Sequence, residues 1–199
     1  LVETLARHGY AVAFNYLTAD AAAEESIRRL ESAGHRAMGM RSDAGVREDV
    51  EEFVASAITW SGAAPRLLVN NAGVQTWWRL LELTDEPWNQ VIRTNLTGCF
   101  LNTQVVARQM ARTGQGGAIV NIGSGCNKLA FPNLVDYTAS KGGIGQFTKS
   151  AAVELGPLGI TVNCVAPGAI ATERTAAESP DYAAAWTPLT PLRRIGTPD

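Results

Sequence analysis

The sequence predicts an α/β protein built on a doubly wound parallel sheet with helices on both faces, giving three layers. Short apolar runs such as residues 10–16 (YAVAFNY) and 118–122 (AIVNI) have the length and composition of buried strands. Helical patterns of ten or more residues lie between these runs. Such alternation is typical of βαβ units, in which a helix crosses over the sheet between parallel strands.

The first third of the chain contains three strand patterns and three helical ones. In chain order we predict a helix at 1–8, a strand at 10–16, a helix at 20–34, a strand at 36–40, a helix at 46–60 and a strand at 66–70. Asp20 is expected to cap the second helix, and Gly9 and Gly34 to end the first two helices. Acidic residues in the early turns of the third helix favour its N-terminus.

The rest of the chain repeats the alternation. A long helix is predicted from Thr84 to Thr113, with Thr84 or Asp85 as N-cap, Pro87 in the first turn and Gly114 as the stop. It is followed by a strand at 118–122, a helix at 135–155 and a strand at 160–166. The remainder, from residue 173, is rich in Ala, Thr and Pro and is consistent with a short helix.

Composition excludes several classes of protein. The 199 residues fit one domain, and 17 basic against 19 acidic side chains, scattered rather than bunched, argue against a nucleic-acid-binding face. No segment reaches the ~20 apolar residues that a bilayer span needs. Three cysteines without a CxxC pair and only two histidines favour reduced, buried thiols over a metal site. We therefore expect a cytoplasmic protein with no metal.

Ligands of a doubly wound sheet bind beyond the carboxyl ends of its strands, where this chain carries several informative segments. Asn70-Asn71-Ala72-Gly73 follows one strand, although by itself it is also typical of a plain turn. Ser124 follows the next strand between two glycines. Tyr137 and Lys141 lie four residues apart on a predicted helix, so that both can face one cleft. Pro167-Gly168 follows the last strand.

In this order, the segments resemble the short-chain dehydrogenase/reductase family over essentially the whole chain. The resemblance implies a Rossmann-like fold and a catalytic tetrad of Asn95, Ser124, Tyr137 and Lys141. Without the resemblance, Asn95 would be read as an ordinary polar residue within a helix. The similarity is greatest to 3-oxoacyl-carrier-protein reductases and to glucose or other sugar dehydrogenases, which share Asn-Tyr at 15–16 and Asn-Leu-Thr-Gly at 95–98.

The tetrad is chemically coherent. A phenol, whose ordinary pKa is near 10, is a poor proton shuttle at pH 7, and a neighbouring ammonium such as Lys141 stabilises its charged form. Ser124 would donate to the substrate oxygen as charge develops there, while Tyr137 exchanges a proton with it and hydride moves to or from nicotinamide. By resemblance, Lys141 also holds the nicotinamide ribose, and Asn95 holds a water of a proton relay.

The resemblance also implies a set of cofactor-binding residues. They are Asn15, Tyr16, Asp43, Asn71, Ala72, Gly73, Tyr137, Lys141, Pro167, Gly168, Ile170 and Thr172. Asp43 taken alone is as well explained as a helix-capping or turn residue. Residues 15–18 (NYLT) offer no acid to accept from the 2′-hydroxyl of NAD, which favours NADP(H) while leaving NAD(H) open.

The chain departs from the family pattern at both ends. Family members open with a strand and a glycine-rich loop that binds the pyrophosphate, whereas residues 1–8 resemble the end of the helix after that loop. We therefore expect the central first strand to be missing and the 199 residues to be a fragment of one oxidoreductase domain. We further expect residues 173–199 to form a lid over the substrate.

The substrate does not follow from the sequence. Residues 75–78, 125–131 and 169–186 are expected to line the pocket, where Trp77, Trp78, Phe131, Tyr182 and Trp186 could form a partly apolar wall. NADPH-dependent reduction of a 3-oxoacyl or other small ketone is the favoured interpretation, with sugar or polyol oxidation as the alternative. A non-catalytic dinucleotide sensor or scaffold is the alternative of another class. Assembly into a homodimer or homotetramer through the two long helices is expected by resemblance.

Overall fold

The computed structural model describes residues 1–198 and leaves out Asp199 and the side chains of Arg174 and Glu178. Its strands are β1 (Val12–Tyr16), β2 (Ala37–Arg41), β3 (Leu67–Asn70), β4 (Gly117–Ile122) and β5 (Ile160–Val165). Its α-helices are α1 (Val2–Arg7), α2 (Asp20–Ser32), α3 (Arg47–Ser61), α4 (Asp85–Val91), α5 (Gly98–Thr113), α6 (Val135–Leu155), α7 (Glu173–Glu178) and α8 (Tyr182–Trp186). The alternation of strand and helix confirms the predicted α/β class.

The described strands pair only in parallel, but they form two sheets rather than one. β1 pairs with β2, and β4 lies between β3 and β5. The division falls between β1 and β3, which are not paired with each other in the described residues. In both sheets the carboxyl ends of the strands lie at the same edge, so the segments that follow them are brought together.

The main core lies between the β3–β4–β5 sheet and three helices. Val50 and Val54 of α3, Met110 of α5 and Ile119 of β4 are almost fully buried there. A smaller cluster joins α1, α2, β1 and β2, with Ala6 and Leu30 at its centre. Each cluster belongs to one of the two sheets, and burial of apolar area is the main force holding the helices on them.

The long helix predicted from Thr84 to Thr113 is interrupted. α4 begins after Thr84 as N-cap, passes into a π-helical segment at Ile92–Thr97, and continues as α5 to Gly114, whose φ of 64° ends it. Periodicity does not reveal the π-segment because its apolar residues, Ile92 and Leu96, are four residues apart as in an α-helix. Asp20 is the first residue of α2 rather than its cap, and its side chain makes no capping hydrogen bond, so that part of the prediction is wrong.

The C-terminal part forms two short helices and then returns to the sheet edge. Ile170 pairs with Gly196 in a parallel bridge, and Gly196 both donates to the Ala169 carbonyl (2.9 Å) and accepts from the Ala171 amide (2.8 Å). These contacts fix residues 169–171 directly after β5. Within residues 1–198, no helix is long and apolar enough to cross a membrane.

Candidate active site

Lys141 and Tyr137 lie on one face of α6, at the end of the helix nearest the carboxyl edge of the sheet. Lys141 is only 4% exposed, and its Nζ lies 5.6 Å from the centroid of the Tyr137 ring. The same Nζ donates to the carbonyl of Ile122, the last residue of β4, at 2.7 Å. A buried ammonium requires such partners because desolvation of an isolated charge is costly. The contact anchors the ammonium close to the loop that carries Ser124.

Asn95 lies in the π-helical segment and is 1% exposed. Its Oδ1 accepts from the Val74 amide at 2.8 Å, and its Nδ2 donates to the Val74 carbonyl at 2.9 Å and to Ser140 Oγ at 3.0 Å. Ser140 Oγ in turn donates to the carbonyl of Tyr137 at 2.7 Å. Asn95 therefore joins the loop after β3 to the helix that carries Tyr137 and Lys141.

Ser124 stands at the carboxyl end of β4 with extended backbone (φ −165°, ψ 162°) and caps a one-turn 3₁₀ helix. Its Oγ accepts from the Cys126 amide at 3.2 Å, and its own amide donates to Asn127 Oδ1 at 3.2 Å. The 3₁₀ turn packs against α6. The structure thus brings Asn95, Tyr137 and Lys141 together and places the Ser124 loop beside them.

Gly73 completes this cluster from the loop after β3. A methyl group on its Cα would lie 3.4 Å from Asn95 Oδ1 and 3.6 Å from Lys141 Nζ. The preceding Asn71 and Ala72 are exposed. The absence of a side chain at Gly73 therefore leaves room for a ligand to approach the ammonium along exposed backbone, which fits the dinucleotide implied by the sequence.

The other expected cofactor residues have partners within the protein. Asn15 Nδ2 donates to the Ser42 carbonyl at 3.2 Å, and Tyr16, which ends β1, is half-buried. The Asp43 carboxylate accepts from the Gly45 amide and from Arg93, both at 2.8 Å. Asp43 thus forms the turn that the sequence analysis kept as its alternative role.

The segment after β5 touches the Ser124 loop directly. The Pro167 carbonyl accepts from the Gly125 amide at 3.0 Å, and the next residue, Gly168, is exposed. Ile170 is held by the bridge to Gly196. Thr172 caps α7, with its Oγ1 accepting from the Thr175 amide at 3.1 Å. These contacts hold residues 167–172 beside the Ser124 loop, as one wall of the candidate site.

Aromatic side chains link α8, which follows this wall, to the loop after Ser124. Phe131 packs edge-on against Trp186 with ring centroids 5.2 Å apart, and Tyr182 lies 6.0 Å from Trp186. Trp77 and Trp78 remain 59% and 45% exposed, and Trp78 is bonded through its backbone to Asn133 and Leu134. Three of the five aromatic residues expected at the pocket are therefore assembled into one cluster.

Cys99 lies close to the site but is chemically inert. Burial raises the pKa of its thiol to about 12, against a smaller opposing effect of the Lys141 ammonium. A thiol of this kind stays protonated at neutral pH and is not a nucleophile. Among the residues that the structure describes, no group of three or more His, Cys, Asp or Glu could hold a metal ion.

Comparisons with known proteins identify the family. The family model for short chain dehydrogenases matches residues 1–183. The chain belongs to the short-chain dehydrogenase/reductase family. It is 35% identical over 192 residues to the 3-oxoacyl-[acyl-carrier-protein] reductase of Staphylococcus epidermidis, covering 96% of this chain and 78% of that one. It is an oxidoreductase with the family's Rossmann-type α/β/α architecture.

Two further relatives act on sugars or sugar acids by name. The L-rhamnose 1-dehydrogenase (NAD(P)(+)) of a Sphingomonas species is 32% identical over 199 residues, covering 98% of this chain and 77% of that one. The structure of a gluconate 5-dehydrogenase from Burkholderia cenocepacia in complex with NADP and tartrate superposes with a TM-score of 0.89 at 31% identity, covering 98% and 76% of the two chains. Short-chain dehydrogenases of similar sequence thus differ in substrate.

The structure also shows polar residues around the site to which the sequence analysis assigned no individual role. Ser140 links Asn95 to Tyr137, and the buried Asp136 accepts from the Tyr137 amide at 2.7 Å and from the Thr76 hydroxyl. Asn127 holds the Ser124 amide. Their proximity in sequence to Ser124 and Tyr137 is a signal that could have pointed to them, but their partners come from other elements.

Proposed function

We propose that this oxidoreductase reduces a small ketone, such as a 3-oxoacyl group, with NADPH. The observation that supports this best is the buried Lys141 ammonium beside the Tyr137 ring, tied to the loop of Ser124 through Ile122. Bound nicotinamide supplies the hydride. Residues 71–73, Lys141 and residues 167–172 would hold the dinucleotide, with Asn15, Tyr16 and Asp43 nearer its adenosine end.

In this proposal the side chains handle the proton and the developing charge. The Tyr137 hydroxyl gives its proton to the carbonyl oxygen as the carbon is reduced, and the Ser124 hydroxyl donates a hydrogen bond to the same oxygen. The Lys141 ammonium stabilises the phenolate that remains. Asn95, held by hydrogen bonds to Val74 and Ser140, fixes the position of the Gly73 loop relative to α6. A water of the proton relay is assigned beside Asn95.

Turnover tests the proposal. The purified protein is incubated with NADPH and a panel of 3-oxoacyl thioesters, simple ketones and aldehydes, and NADPH consumption is followed by absorbance.

The names of the rhamnose and gluconate relatives favour a second candidate, oxidation of a sugar or polyol, which is tested with NADP⁺ or NAD⁺ and aldoses. Dinucleotide binding without turnover of any of these would favour the sensor or scaffold.

The preference for NADP(H) gains support from a cation that the sequence analysis did not place. Arg41 ends β2 in register with Tyr16, which ends β1, so the two side chains emerge on the same face at the carboxyl edge. Arg41 is exposed. A guanidinium here suits the 2′-phosphate of NADP, because charge-assisted hydrogen bonds to phosphate are strong.

We expect Arg41→Ala to raise KM for NADPH by about 10-fold and to change KM for NADH by less than about twofold, because hydrogen bonds to a charged group contribute roughly 1.5–3 kcal/mol. Initial rates at varied cofactor concentration measure both values. Arg36→Ala is the matched control, since Arg36 precedes the amino end of the same strand and packs over Trp60. Equal changes for the two cofactors would contradict a role at the 2′-phosphate.

Self-association is proposed through the outer face of α5 and α6, as a dimer or tetramer. Phe100 of α5, 39% exposed, packs edge-to-face against Phe147 of α6 at 6.4 Å beside a groove between the two helices. Apolar side chains in such a groove are typical of an interface. Phe100→Glu is expected to convert the oligomer to monomer in sedimentation experiments, whereas Leu81→Glu, at an exposed apolar residue outside both helices, should leave it intact. A monomeric parent protein would contradict this assignment.

We also propose that residues 173–198 cover the substrate, as the continuation of the wall formed by residues 167–172. α8 contributes Trp186 to the aromatic cluster with Phe131, and the bridge between Ile170 and Gly196 closes the segment back on itself. Asp199, the last residue assigned to this lid by the sequence analysis, lies outside the described residues.

A further inference from the structure

The residues on either side of Ser124 are glycines, so only backbone bonds can fix them. Gly123 and Gly125 flank Ser124, and their amides donate to the carbonyls of Val165 (2.7 Å) and Pro167 (3.0 Å) on the neighbouring segment. These bonds fix the backbone before and after Ser124. The amide of Ser124 itself has another partner, Asn127 Oδ1, at 3.2 Å.

The side chain of Asn127 is held in a slot between three elements. Its Nδ2 lies 3.6 Å from Cys164 Sγ on β5. A methyl group on Gly123 would lie 2.7 Å from this Nδ2, and one on Gly145 of α6 would lie 3.0 Å from it. The amide therefore occupies space that side chains at either glycine would fill, and it cannot move without disturbing these neighbours.

Through this slot, Asn127 touches the helix that carries the proposed acid. Gly145 lies one turn beyond Lys141 and two turns beyond Tyr137, on the same face of α6. We infer that Asn127 is a positioning residue, which sets the place of Ser124 relative to Tyr137 and Lys141. The inference rests on the proposed function, in which Ser124 donates to the substrate oxygen.

The direction of the Ser124 hydroxyl follows from the same arrangement. The Cys126 amide donates to Ser124 Oγ at 3.2 Å, so the hydroxyl proton is directed away from that amide. Asn127 holds both ends of this turn, because its own amide donates to the Ser124 carbonyl at 2.9 Å while its side chain accepts from the Ser124 amide. Loss of the side chain would leave Ser124 between two glycines with one less restraint.

A double-mutant cycle tests the inference. kcat and KM are measured for the parent enzyme, Asn127→Ala, Ser124→Ala and the double variant. Asn127→Ala is expected to lower kcat by about 10-fold, since a small misplacement of a reacting group costs one to two orders of magnitude. In the Ser124→Ala background the same change is expected to lower kcat by less than about twofold, because the group that it positions is gone.

A matched control separates positioning from general destabilisation. Asn102 of α5 is a buried amide with backbone partners of its own, the carbonyls of Gly98 (2.9 Å) and Ala44 (3.3 Å). Asn102→Ala is expected to lower the urea midpoint and leave kcat within about twofold of the parent value, because loss of a buried hydrogen bond weakens the fold without moving Ser124.

Two outcomes overturn the inference. One is an equal loss of kcat from Asn127→Ala in both backgrounds, and the other is no loss in either. The kcat of Ser124→Ala shows whether only the inference about Asn127 has failed or the proposed role of Ser124 as well. If that variant retains the kcat of the parent, the assignment of Ser124 is wrong and the inference falls with it; if it does not, only the role of Asn127 is rejected.

Discussion

Tyr137→Phe is expected to lower kcat by about 10²- to 10⁴-fold, the range by which general acid catalysis accelerates proton transfer. The substitution removes one oxygen and keeps the ring that Lys141 approaches at 5.6 Å. Packing around the half-buried ring is preserved, so the unfolding midpoint should change little, and cofactor affinity should fall far less than kcat. Initial rates at saturating NADPH, together with fluorescence titration of the cofactor, measure the two effects separately.

Tyr10→Phe supplies the matched control for this prediction. Tyr10 precedes β1 at the amino end of the sheet, away from the candidate site, and is 47% exposed. Removal of its hydroxyl should leave kcat within about twofold of the parent value, as for surface substitutions in general. Full activity of Tyr137→Phe would exclude this phenol as the proton donor and would leave the proposed mechanism without its central step.

Most of the fold could be predicted because its elements follow local patterns. α6 runs from Val135 to Leu155 as predicted, since Gly156-Pro157 ends the helical pattern there. The π-helical turn around Asn95 could not be predicted in this way. Its apolar residues Ile92 and Leu96 are four residues apart, which fits an α-helix equally well. The contacts that accompany the π-turn, from Asn95 to Val74 and Ser140, join residues 21 and 45 positions apart.

The candidate site, like the fold, could be predicted only in part from the sequence. The positions of Tyr137 and Lys141 follow from the helical spacing, and Ser124 follows from its place after a strand. The contacts that restrain these residues could not be predicted, because their partners lie in distant segments. Ile122 accepts from Lys141, Thr76 donates to Asp136, and Cys164 contacts Asn127. Similarly, Arg41 is a plain strand-end residue in the sequence and becomes a candidate phosphate ligand only when β2 is paired in register with β1.

Lys141→Met is the second substitution for which we expect a large effect, a fall in kcat of at least about 100-fold, since loss of one group that stabilises developing charge typically costs 10²–10³. Met has nearly the same length and no charge. It would fill the buried position, leave the Ile122 carbonyl without this donor, and remove the cation beside Tyr137. Cofactor affinity should also fall, because Lys141 is assigned to the nicotinamide ribose.

Only activity, and not stability, is expected to respond strongly to this change. Replacing a buried charge by an apolar side chain of similar size is often neutral or stabilising, even though one carbonyl loses a partner. The urea midpoint of Lys141→Met should therefore stay close to that of the parent, while kcat shows the large fall expected above. Lys149→Met is the control: Lys149 lies two turns further along α6, is exposed and contacts Gln146 at 3.3 Å. It should keep full activity.

The pH dependence of Lys141→Met gives the most specific test of how the lysine acts. In the alcohol-oxidation direction Tyr137 must first be a phenolate, so the rate rises with pH as the phenol ionises. The Lys141 ammonium favours the phenolate, and without it this rise should move to higher pH. Alkaline conditions should then restore part of the lost oxidation rate. A loss of rate that is uniform across pH would instead mean that Lys141 serves cofactor binding and does not act on the phenol of Tyr137.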